Sequence, residues 1–71
     1  MNELIGIITK EEFLSDDLIQ DVLFILGGKK PIRLGEAGCQ FFPPKKISFS
    51  DLDTSRSLKV DVNIVPKTNR E

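Results

Sequence analysis

Apolar positions change period twice along the chain, and each period implies a kind of element. Leu4-Ile5-Gly6-Ile7-Ile8 is a short β-prone run that ends at Thr9. Thr9 stands three residues before Glu12, the S/T-x-x-E pattern of a capping box, which predicts a helix starting near Lys10. Phe13, Leu14, Leu18, Ile19, Val22, Leu23, Ile25 and Leu26 then recur at helical spacing. Gly27-Gly28 supplies the residue that can take a positive φ just past the helix end.

Beyond the glycines the period shortens to two. Pro31-Ile32-Arg33-Leu34 and Cys39-Gln40-Phe41-Phe42 flank the turn-like Glu36-Ala37-Gly38 and predict a hairpin. Ile47 and Phe49 alternate with Ser48 and Ser50, predicting another strand, followed by a turn through Asp51–Ser57. In the last run Leu58, Val60, Val62 and Ile64 face one way and Lys59, Asp61 and Asn63 the other, a strand with one wet face that Pro66 ends. The expected fold is a single α+β domain over residues 1–66, in β-α-β-β-β-β order, with one amphipathic helix on a small, mainly antiparallel sheet. Residues 67–71 are expected to be a frayed tail.

The helix carries an anomaly. Most of its apolar residues fall in one arc, enough to cover a small sheet, but Phe13 and Phe24 fall outside it. Eleven residues apart, they sit within about 20° of each other on a helical wheel, among Asp17 and Gln20. If the helix begins near Lys10, both rings share its outward face and form a surface for a partner or for a second copy. A chain of 71 residues has a thin core, so association is a natural route to stability, and a homodimer is expected.

Composition narrows the chemistry. The chain has one cysteine and no histidine, so it forms no internal disulfide and lacks the usual Cys/His zinc set. The lone thiol and the absence of a basic leader around Glu3 predict a cytoplasmic location, and apolar runs of five residues are too short to span a membrane. The net charge of −1 conceals a segregation, because residues 1–27 carry −5 and residues 28–46 carry +4.

Few motifs survive inspection. Asp51, Asp53 and Ser55 have the first three spacings of a calcium loop, but Arg56 stands where glycine is needed and Val62 where a bidentate glutamate is needed. Gly27-Gly28-Lys29-Lys30 follows a helix, whereas a phosphate loop precedes one. Cys39 would be activated only if strand pairing brought Arg33 beside it. Asp17 and Asp21 share a helix face but have no concave site. No catalytic residue, cofactor or metal is therefore expected.

Phe41-Phe42-Pro43-Pro44-Lys45-Lys46 is more informative. Consecutive strand residues point to opposite faces, so one ring is buried and the other turns outward, followed by two rigid prolines and two lysines. Such a loop orders at little entropic cost. The expected function is a small non-enzymatic protein-interaction module: a regulator, inhibitor or accessory subunit, binding through Phe13, Phe24, Phe42, Pro43, Pro44, Lys45 and Lys46. The alternative is a nucleic-acid-binding protein that uses the basic segment 29–46, with Phe42 as a stacking ring. The acidic helix and a pI near 5.4 weigh against it.

Overall fold

The computed structural model describes residues 3–66. Six elements follow in order: β1 (Leu4–Thr9), α1 (Asp16–Leu26), β2 (Lys29–Arg33), β3 (Gly38–Phe42), α2 (Phe49–Arg56) and β4 (Asp61–Pro66). The strands form one antiparallel sheet in the order β2-β3-β1-β4. The expected α+β architecture is the one observed, with one difference: the fifth element is a helix where a strand was expected. The expected tail at 67–71 lies outside the described residues.

Pairing registers explain how the sheet separates its faces. Ile8 lies opposite Cys39 on one side and Val62 on the other, and Gly6 lies opposite Phe41 and Ile64. These residues form the inner face, against which α1 lays Ile19, Val22, Leu23 and Leu26. Leu14 and Val60 extend the same buried cluster beyond the element ends. Phe41 is its largest fully buried side chain. Glycine at two positions makes room for that ring: a Cβ at Gly6 would lie 2.3 Å from its Cζ, and one at Gly28 would lie 2.4 Å from its Cδ2.

Helix α1 starts at Asp16, six residues later than the Thr9–Glu12 pattern predicts. Thr9 is consumed by the sheet, paired with Gly38 and Asp61. Residues 10–14 are then held as a non-helical strap: the Lys10 amide donates to the Ala37 carbonyl at 3.0 Å and the Leu14 amide to the Glu36 carbonyl at 2.7 Å. Ser15 is the true N-cap, its hydroxyl accepting from the Leu18 amide, with Asp16 and Asp17 in the first turn favouring the positive dipole end. The C-terminal end is where the glycines place it. Gly27 takes φ 77°, and the amides of Gly27 and Gly28 both donate to the Leu23 carbonyl.

Helix α2 replaces the alternation read over residues 47–50. Ser48 caps it, accepting from the Asp51 amide at 3.1 Å, so Ser48-x-x-Asp51 is a helix-start signal that the Ile47/Phe49 alternation masked. Buried Ser55 is satisfied by donating to the Asp51 carbonyl. Asp51, Asp53 and Ser55 therefore sit on a helix instead of in a turn. Beyond α2 the strand begins at Asp61 and not at Leu58 as the alternation predicts, because Leu58 and Lys59 lie in a turn with Lys59 at φ 65°; from Val60 onward Val60, Val62 and Ile64 turn to the core and Asp61 and Asn63 to solvent, as expected.

Candidate protein-interaction surface

The apolar end of α1 has one side for the core and one for solvent. Val22, Leu23 and Leu26 are buried and Ile25 is half-buried, but Phe24 is 90% exposed. Its outward direction follows from the wheel. Its exposure follows from the topology, because the sheet and α2 occupy the inner side and no described element crosses the outer side of that turn.

Phe13 is separated from Phe24 by the late helix start. It belongs to the strap before Ser15, so the expected two-ring helical face does not exist. The two residues lie at opposite ends of α1, which at about 1.5 Å per residue is roughly 16 Å long. Phe13 is 60% exposed and carries the Arg33 guanidinium over its ring, 5.5 Å from the centroid. Arg33 also donates to the Leu14 carbonyl at 2.6 Å, the Gly35 carbonyl at 2.9 Å and the Asp16 carboxylate at 2.7 Å. Arg33 thus pins the β2–β3 hairpin to the strap and to the start of α1. Phe13 is one wall of that fastening, a role sequence reasoning missed because it needs contacts between residues about twenty apart.

The C-terminal end of α1 has a different setting. Gly27, three residues on and adjacent on the helix surface, faces Pro44, whose Cγ would lie 3.7 Å from a Cβ at Gly27. The Phe42–Lys46 segment is thereby brought to the same end of α1 as Phe24. Phe41 is 1% exposed and Phe42 38%, so consecutive rings take opposite faces as strand geometry requires. Pro43 and Pro44 are half-buried against the body while Lys45 and Lys46 are exposed. Lys29 lies opposite Phe42 in the sheet register. Phe49, which the alternation placed with Ile47 on one face of a strand, is instead 86% exposed at the start of α2.

Other chemistry is limited. Strand pairing does set Arg33 opposite Cys39. Burial nevertheless pushes the thiol above its ordinary value, outweighing the lowering from a backbone hydrogen bond and from Arg33. Shielded from solvent, Cys39 behaves as a small apolar core residue. A cleft of about 640 Å³ is lined by Lys10, Glu11, Glu12, Arg56, Lys59, Val60 and Asp61, balanced in charge and without a thiol or hydroxyl nucleophile. Among the described residues, no three His, Cys, Asp or Glu side chains gather as metal ligands, and no helix is long and apolar enough to cross a membrane. No protein-family model, curated protein or solved structure matches the chain.

Proposed function

We propose that this chain is a non-enzymatic protein-interaction module of the cytoplasm, serving a larger complex as a regulator, inhibitor or accessory subunit. Its binding surface is the C-terminal end of α1 together with the adjoining Phe42–Lys46 segment. The observation that carries the reading is Phe24, an aromatic ring 90% exposed on a helix whose opposite side is core, with a proline-stiffened segment meeting the same end of that helix at Gly27. An exposed ring on a rigid support binds without first being ordered, which is how aromatic anchors act at interfaces. A lone, buried cysteine, Cys39, is compatible with a reducing compartment.

The test compares captures from native lysate with wild-type chain, Phe24→Lys, Lys45→Glu/Lys46→Glu and Phe13→Ser as baits. A partner retained by the wild type and by Phe13→Ser, and lost with the other two, supports the surface. A partner set that ignores Phe24 and the lysines sinks it. The opposition of Lys29 and Phe42 keeps one second reading, single-stranded nucleic acid stacked on Phe42. Submicromolar binding at physiological salt, lost in Lys45→Glu/Lys46→Glu and weakening steeply with added salt, would replace the protein partner with that ligand.

A further inference from the structure

The two edges of the sheet differ in how they meet solvent. Edge strand β2 is blunted in three ways: Pro31 removes an amide, Lys30 takes φ 54°, and a register irregularity between Lys29 and Ile32 bends the strand. Edge strand β4 has none of these devices. It pairs with β1 in unbroken register from Leu4–Pro66 to Thr9–Asp61, carries one charged residue in Asp61-Val62-Asn63-Ile64-Val65-Pro66, and has its proline at the very end. Its other side has no partner strand among the described residues. Backbone donors and acceptors on that side form a template for another strand.

We infer that β4 is a self-association edge, pairing antiparallel with β4 of a second copy about a twofold axis that passes between the two copies of Asn63. Twofold pairing of antiparallel strands keeps opposed residues on one sheet face, so the axis must pass midway between a residue and its own copy. Centring on Ile64 would draw Pro66, which has no amide proton, into the ladder opposite Val62. Centring on Asn63 pairs 61–65 completely and leaves Pro66 outside. Val62 then meets Ile64 of the second copy, twice over, on the inner face where both are half-buried beside the core. Asp61 meets the neutral Val65, so no like charges oppose. Whichever set of amides faces outward, this register forms roughly four to six inter-strand hydrogen bonds. The result is a continuous eight-stranded sheet, and it draws on neither Phe24 nor the Pro-Lys segment.

Asn63 is exposed, so charging it should leave the protomer folded while placing two like charges face to face on the axis. Wild-type chain is expected to sediment at twice the mass of the protomer at high micromolar concentration. Asn63→Lys and Asn63→Glu should each weaken the dimer at least tenfold, and an equimolar mixture should restore it. Phe24→Lys should leave it unchanged, which keeps failure of the strand edge distinguishable from failure of the helix surface. A wild-type monomer at several hundred micromolar overturns the inference, as do Asn63 variants that dimerise like wild type or fail to recombine. Circular dichroism checks that the variants fold. Amide exchange on wild-type chain gives an independent reading: alternate β4 amides must gain protection as concentration rises, and no change overturns the pairing.

Discussion

Adding one methyl group at Gly6 tests the packing logic of the whole domain. Gly6 lies opposite Phe41 in the β1–β3 register, and the Phe41 ring folds back across it, filling the space a side chain would take. In Gly6→Ala the new Cβ would sit 2.3, 2.4 and 2.7 Å from three ring carbons. Carbon atoms prefer about 3.5–4.0 Å, so the ring would have to withdraw by more than about 1 Å. It has nowhere to go, being 1% exposed and already too close to Gly28 for a Cβ there. Overpacking of this kind typically costs about 1–3 kcal/mol. At about 0.05–0.15 kcal/mol per residue the chain has only roughly 4–10 kcal/mol of stability, so Gly6→Ala should lower Tm by about 5–20 °C. Urea unfolding followed by circular dichroism measures the change, with Gly38→Ala as control because its Cβ would meet only ordinary contacts, Leu34 Cβ at 3.6 Å being nearest. Phe41→Leu should lose stability alone but rescue part of the Gly6→Ala loss, giving a favourable coupling in the double-mutant cycle. A Gly6→Ala protein within about 0.5 kcal/mol of wild type, or strict additivity with Phe41→Leu, would refute the ring-over-glycine account.

Further substitutions probe the local devices. Ser15→Ala should cost about 1 kcal/mol, read by thermal unfolding, because the α1 N-cap bond to Leu18 is lost, whereas Thr9→Val should not shorten the helix signal. Arg33→Lys should cost about 1–2 kcal/mol through loss of the forked contacts to the Leu14 and Gly35 carbonyls, while Asp16→Asn should stay within about 0.5 kcal/mol because that carboxylate is largely solvated. Phe24→Lys should unfold at the same urea concentration as wild type to within about 0.5 kcal/mol, and a larger loss would show the ring to be covered. Cys39 holds its proton to higher pH in the folded chain than in the unfolded one. The unfolded chain therefore releases that proton first, and stability should fall as pH rises above the ordinary thiol value of about 8.5 towards the raised folded one, a loss that Cys39→Ala removes from the urea midpoints.

Elements whose signals are local were legible from residue order. The end of α1 follows from Gly27, whose φ no side-chain-bearing residue adopts cheaply, and its buried arc follows from the 3.6-residue period. The inward set Val60, Val62 and Ile64 and the opposed directions of Phe41 and Phe42 follow from the period of two, which a folded strand cannot evade. Where a local signal misled, long-range contacts decided the outcome. Thr9 reads as the helix cap, but β1 pairs it on both sides and the carbonyls of Glu36 and Ala37 hold the following strap out of the helix, so the cap falls instead at Ser15, which the local pattern did not mark. Ile47 and Phe49 read as a strand against Ser48-x-x-Asp51 as a cap; the helix prevailed because β4, not residues 47–50, took the place beside β1. The candidate surface divides in the same way. Helical periodicity points Phe24 away from the core, but exposure depends on which elements the topology lays over it, and the placement of Pro44 against Gly27 depends on β3 ending beside α1. Phe13 was misplaced because its position hangs on Arg33, twenty residues away, and a contact across that separation leaves no trace in the local pattern.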